Sequence, residues 1–127
     1  MNKRKVLIVD DDPELSRLLA VILDRMGGCE VREENRSVAA LDAARAFRPH
    51  VIVLDVVMPE KDGNAVREEL SRDPELADTP VIFVTGVIAR SESGFRDGFR
   101  YLPKPIDPMA LLDAVANLSR GFEPSAS

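Results

Sequence analysis

The sequence holds one cysteine, Cys29, and one histidine, His50. A single thiol excludes an internal disulfide, and it leaves too few soft ligands for a structural zinc cluster. No apolar run reaches the roughly 18–20 residues that a membrane-spanning helix needs. Behind the opening MNKRK, the apolar stretch VLIV is too short for a signal peptide. A cytoplasmic protein is therefore expected. An excess of positive charge is also missing. The formal net charge of −5 speaks against direct nucleic-acid binding and against association with anionic membranes. Internal repeats, low-complexity blocks and the EF-hand spacing of oxygen ligands are absent as well.

What remains is a chain of one-domain size. At 127 residues, 45% hydrophobic and 31% charged, it can bury one core and does not read as disordered. Continuous apolar runs occur at 6–9, 51–54 and 81–84, as expected of central parallel strands covered on both faces. Residues 29–33 alternate with polar positions and predict a less covered strand, and 100–102 a weaker fifth one. Leu15, Leu18, Leu19, Ile22, Leu23 and Met26 mark one apolar helix face that Gly27-Gly28 ends. That helix begins at Asp12-Pro13, a cap followed by a first-turn proline. The last helix repeats the device at Asp107-Pro108 and stops near Gly121. Residues 37–47 and 63–72 predict further helices, whereas 89–96 reads as a poor one because SESG interrupts it.

The order is strand then helix, five times over, with connections too long for hairpins. Right-handed crossovers turn that order into a parallel sheet with helices on both faces. The expectation is a folded domain over 1–121 and a disordered tail, or the start of a linker, at 122–127. Chemistry in such folds gathers at the C-terminal edge of the strands.

Along that edge stand Asp10-Asp11-Asp12, Asp55, Thr85-Gly86 and Lys104-Pro105. Read singly, each is ordinary: a turn-forming acid, a structural threonine, a surface lysine. Four strands delivering complementary chemistry to one region is a different matter. Several close carboxylates hold either a proton or a cation. Oxygen ligands without nearby His or Cys select a hard cation, Mg²⁺ first, with Mn²⁺ able to substitute. A cation beside Lys104 and Thr85 suits a phosphoryl group. His50 begins the third strand, at the opposite edge, so the acceptor of any transferred phosphoryl is a carboxylate, with Asp55 the central candidate. Asp12, just ahead of Pro13, is set apart as the helix cap.

The blocks VLIVDDD, VIVLDVVMPEKDG, VIFVT and YLPKPID, in this order and spacing, resemble the receiver domain of bacterial two-component response regulators, the CheY-like proteins. The resemblance covers roughly residues 5–120. It implies a flavodoxin-like (βα)5 fold with strand order 2-1-3-4-5. It implies a phosphorylation switch rather than a turnover enzyme, with Asp55 taking a phosphoryl group from the phosphohistidine of a sensor kinase or a phosphotransfer protein. It also implies Asp11 as direct metal ligand, Asp10 as its largely water-mediated partner, and the Val57 backbone carbonyl as a third ligand. Thr85 matches the switch hydroxyl, Lys104 the phosphate-pairing lysine, and Tyr101 the aromatic that turns inward on activation. The Lys104-Pro105 bond is expected to be cis. A downstream effector protein or an attached output domain would read the face made by the fourth helix, the fifth strand and the last helix.

The sequence departs from the family in places. Thr85-Gly86 stands where Thr-Ala is usual, and the chain between Thr85 and Lys104 is short. The fourth helix, 89–96, is therefore expected to be short, irregular or mobile. Val57 and Val87 cannot orient an attacking water, which suggests slow loss of the phosphoryl group. Two other readings compete. One is a receiver fold kept as an unphosphorylated interaction module. The other is a phosphohydrolase of the haloacid-dehalogenase type with Asp10 as nucleophile, against which stands Pro13-Glu14 in place of that family's Thr-Leu.

Overall fold

A computed structural model describes residues 2–86, 94–96 and 99–119. The strands are β1 (Lys5–Val9), β2 (Glu30–Glu34), β3 (Val51–Asp55), β4 (Val81–Thr85), β5 (Gly94–Arg96) and β6 (Phe99–Pro103). The helices are α1 (Pro13–Arg25), α2 (Ala40–Phe47), α3 (Gly63–Ser71) and α4 (Pro108–Leu118), with a 3₁₀ turn at Ser37–Ala39 leading into α2. The sheet order is β2-β1-β3-β4-β6-β5. The first five of these pair in parallel, which is the expected order 2-1-3-4-5 when the parallel strands are counted along the chain.

Strand periodicity sorts the core into two layers. Val6, Ile8, Val51, Val53, Ile82 and Val84 point toward α1 and α4. Leu7, Val9, Ile52, Leu54 and Phe83 point the other way, toward α2 and α3. Successive residues of each central strand thus enter opposite cores, so every position must be apolar. The charged strand β2 closes one side of the sheet and is only partly buried.

Helix starts follow the capping chemistry. Asp12 accepts from the N–H groups of Glu14 and Leu15 at 3.0 and 3.3 Å, ahead of Pro13. Asp107 accepts from Met109 N–H at 3.0 Å, ahead of Pro108. Both satisfy donors that the first turn leaves unpaired.

Three expectations need correction. Gly94–Arg96 is not helical: it forms an antiparallel pair with β6, Arg96 standing opposite Phe99. The two residues between are Asp97-Gly98, a strong hairpin signal that outweighs a weak helical pattern. The remainder of the fourth-helix segment, Val87 and the tail beyond 119 lie outside the described residues. The segment 37–47 is not one helix, because its first turn is 3₁₀. The six-residue apolar stripe of α1 is wider than the core it meets. Leu19 and Leu23 are buried, yet Leu18 is 55% and Met26 60% exposed.

Candidate functional site

The four elements β1, β3, β4 and β6 are adjacent in the sheet, so their C-terminal ends form one row. Asp10 follows β1, Asp55 ends β3, Thr85 ends β4 and Lys104 follows β6. Oxygens of Asp10, Asp11 and Asp55 all lie within 4.8 Å of one another. The Lys104 ammonium stands 3.3 Å from Asp55 Oδ1 and 3.7 Å from Asp10 Oδ2. Asp10 and Asp55 are only 2% and 5% exposed, while Asp11 faces solvent.

Burial sets the electrostatics. Loss of water pushes the Asp10 carboxyl above its usual range, against the pull of the Asp12 N–H that donates to Oδ1 at 2.9 Å. Asp55 is pushed up for the same reason, against Lys104, with the charge of Asp11 adding to the rise and the Val57 N–H opposing it. Three clustered acids, two of them sharing Lys104, are under-compensated. They fit a hard divalent cation by charge and by donor type, since the cluster is oxygen throughout.

Backbone links hold the row together. Lys104 N–H donates to the Thr85 carbonyl at 3.0 Å, and Val56 N–H to the Val84 carbonyl at 3.1 Å. The Lys104-Pro105 peptide is cis, as the resemblance implied. Thr85 is buried at the end of β4. Tyr101 is half-buried and lies opposite Phe83, two positions before the pair of Thr85 and Pro103. Its ring stacks on Phe83 with centroids 5.1 Å apart, and Phe83 meets Phe99 edge-on at 5.6 Å. Phe83 and Thr85 share one face of β4, so Tyr101 and the hydroxyl belong to the same side of the sheet.

Asp10, Asp11, Asp55 and Lys104 are thus brought into one cluster, with Thr85 at its rim and Tyr101 one step removed. The Val57 side chain is 62% exposed, and its backbone follows closely on Asp55. By sequence alone, Asp62-Gly63 is an ordinary turn and cap. Asp62 does cap α3, accepting from Ala65 N–H at 2.9 Å. Gly63 does more, because a Cβ there would sit 2.4 Å from the Asp55 carbonyl oxygen. Only glycine lets α3 start against the backbone at the end of β3.

Beside Lys104 opens an apolar cavity of about 280 Å³, lined by Leu15, Leu18, Leu19 and Ile22 of α1 and by Pro105 and Ile106. The exposed Leu18 of α1 therefore faces a groove that reaches Lys104.

Comparison with known proteins agrees with this geometry. A family model, the response regulator receiver domain, matches residues 6–116. PilH of Pseudomonas aeruginosa is 34% identical over 114 residues, which cover 87% of this chain and 93% of PilH. RpaA of Synechocystis, named a DNA-binding dual master transcriptional regulator, is 36% identical over 119 residues, covering 91% of this chain but 49% of RpaA. The chain spans about half the length of this and other curated relatives that it matches. The solved structure of chemotaxis protein CheY4 from Vibrio cholerae matches with a TM-score of 0.79 at 26% identity, covering 91% of this chain and 98% of CheY4. These matches displace the hydrolase alternative, and with them the chain belongs to the receiver-domain family of two-component response regulators.

Proposed function

We propose that Asp55 is the phosphoacceptor of a signalling switch, loaded from the phosphohistidine of a sensor kinase or a phosphotransfer protein. In the transfer, an Asp55 carboxylate oxygen forms a bond to phosphorus as the P–N bond breaks. The imidazole nitrogen leaves with that electron pair and takes a proton from solvent. Asp10, Asp11, Asp55 and the Val57 carbonyl would hold Mg²⁺, or Mn²⁺ in its place, which supplies positive charge against the phosphoryl oxygens. Lys104 pairs with the same oxygens, and it already stands within 3.3 Å of Asp55. Thr85 donates its hydroxyl to the new group, and its shift is felt by Tyr101 on the same face. An aspartyl phosphate adds close to two negative charges, enough to bias a pre-existing equilibrium of that face.

The observation that carries this reading is the convergence of Lys104 with three carboxylates at one strand edge. The groove beside Lys104 supports a helical phosphodonor. Its apolar lining continues to within one side chain of the acceptor, which suits an amphipathic helix that presents a histidine. The reader of the signal is a separate effector or an attached output domain.

Incubation with acetyl phosphate and Mg²⁺ tests the assignment by intact mass. One phosphoryl group per chain is expected in the wild type and none in Asp55→Asn. Labelling that persists in Asp55→Asn would remove Asp55 as acceptor. A wild type that binds Mg²⁺ but never labels would favour the interaction-module alternative.

A further inference from the structure

Two buried hydroxyls and one amide lie behind the acceptor edge with no part in the transfer itself. Ser16 and Ser37 are buried and Asn35 half-buried. Their bonds converge on the connection between β2 and α2. On one side the end of β2 and this connection together hold Asp10 by both backbone groups. The Asp10 N–H donates to the Glu34 carbonyl at 3.1 Å, and Asn35 Nδ2 donates to the Asp10 carbonyl at 2.8 Å. Asn35 Nδ2 also donates to Ser16 Oγ at 2.9 Å, and Ser16 Oγ donates to Glu33 Oε1 at 2.9 Å, with the Pro13 carbonyl also in reach at 3.2 Å. Arg17 pairs with that Glu33 at 3.3 Å.

Two residues further on, the same connection grips the loop after Asp55. Ser37 Oγ donates to the Pro59 carbonyl at 2.9 Å and accepts from Lys61 N–H at 3.2 Å. Its single proton and one of its two lone pairs are used, and the Lys61 N–H is shared with the Pro59 carbonyl at 2.8 Å. Between those partners sits Glu60 with φ of +71°, a left-handed conformation that is uncommon for a residue with a side chain. Arg36 holds the Glu60 carboxylate through both oxygens at 3.1 and 3.3 Å. The β1–β3 ladder ends at Val9 and Leu54, so β1 and β3 no longer hold each other where the two loops begin.

We infer that Asn35 and Ser37 act as positioning residues. They clamp the Asp10–Asp11 loop and the loop after Asp55 to one short segment and thereby set the affinity of the acidic cluster for Mg²⁺. The inference rests on the phosphoacceptor reading for the identity of the ligand. Its physical ground is independent of that reading. Three like-charged side chains repel, and loops free to spread would have to be gathered again whenever a cation bound. A clamp present beforehand removes that cost, as outer-shell hydrogen bonds do at metal sites generally.

The test uses the full chain and two readouts: Mg²⁺ affinity by calorimetry, and amide hydrogen exchange of the cation-free protein. Asn35→Ala and Ser37→Ala are each expected to weaken Mg²⁺ binding by about tenfold. Exchange should quicken at residues 10–12 in the first variant and at 57–61 in the second. Ser37→Thr, which keeps the hydroxyl, should restore both. Arg45→Ala serves as a control, since it removes an ion pair to Asp73 that touches neither loop. Unchanged Mg²⁺ affinity and exchange in the Asn35→Ala/Ser37→Ala double variant would overturn the clamp. So would an equal loss of affinity in Arg45→Ala. A wild type that binds no Mg²⁺ would instead overturn the phosphoacceptor reading, and the exchange data alone would then decide whether the clamp exists.

Discussion

The two edges of the parallel sheet carry ionisable groups of opposite character. At the C-terminal edge, Asp10, Asp11 and Asp55 crowd within 4.8 Å, and Asp10 and Asp55 share Lys104. At the N-terminal edge, His50 Nδ1 accepts from the Lys5 N–H at 2.9 Å, and the Lys5 ammonium reaches the Phe47 carbonyl at 3.3 Å. It also lies 5.2 Å from the centre of the Phe47 ring. One edge is left short of compensation, and at the other His50 and Lys5 have their partners. A cluster of unneutralised acids costs stability and has no structural purpose of its own, so the costly edge is the one to read as functional. The paired edge is where the fold is secured.

The largest effect separating the edges is steric. Gly63→Ala would put a methyl 2.4 Å from the Asp55 carbonyl oxygen and 2.9 Å from Val56 Cα. Both obstacles are backbone, so α3 or the end of β3 must move. A loss of about 3 kcal/mol is expected, together with weaker Mg²⁺ binding. Gly86→Ala, at the same edge, would meet nothing within 4 Å, and its stability should change by less than about 1 kcal/mol. Thermal unfolding of the two variants measures the contrast. Equal tolerance at both positions would mean that α3 does not press on β3.

A smaller effect divides neighbours within the DDD run. Asp10 is buried, crowded by like charge and pushed toward its protonated form. Asp12 is exposed and caps α1. Asp10→Asn keeps an acceptor for the Asp12 N–H and removes the buried charge. It should raise the melting temperature of the cation-free protein while weakening Mg²⁺ binding. Asp12→Ala should lower stability by about 1 kcal/mol and leave Mg²⁺ affinity intact. The two substitutions therefore move Tm in opposite directions. Calorimetric melts with and without Mg²⁺ read both signs, and two losses of the same size would show the run to be one device.

What could be read from sequence follows from how local each signal is. The strands showed as apolar runs because both faces are buried, and the Asp-Pro caps act within a single turn. The cluster at Asp10, Asp11, Asp55 and Lys104 was reachable because alternating strands and helices dictate which ends align. Signals that depend on a distant neighbour were not legible. Ser37 looks like any loop serine until Pro59 and Lys61 are beside it, and Ser16 until Asn35 and Glu33 are. Gly63 looks like a turn residue because its real constraint is the backbone of another strand. Leu18 and Met26 fit the helical stripe by spacing, yet α4 covers only part of it. Asp97-Gly98 did carry a local hairpin signal, and the expected order of strand and helix hid it.

The weakest effect is in pH, and there the edges oppose each other. Asp10 and Asp55 have folded pKa values above the ordinary 3.8, chiefly from burial. The folded state therefore holds protons that the unfolded chain has released. Their contribution to stability is full below 3.8 and is lost as pH rises through the folded values. His50 runs the other way. Burial first, then the charges of Lys5 and Arg4, push it below 6.5. Its neutral form is the one that accepts from the Lys5 N–H, so the unfolded chain binds the extra proton. The contribution of His50 is full above 6.5 and is lost as pH falls toward its folded value. Acidifying the cation-free protein from neutrality thus weakens one edge while relieving the other. His50→Asn should remove the falling component and leave stability rising, or flat, as the solution goes from neutral to mildly acidic. Urea melts of the two proteins across that range measure the difference in slope. Parallel curves would show that His50 titrates alike in the folded and unfolded chain, and the paired edge would then be neutral to pH rather than opposed to the acidic one.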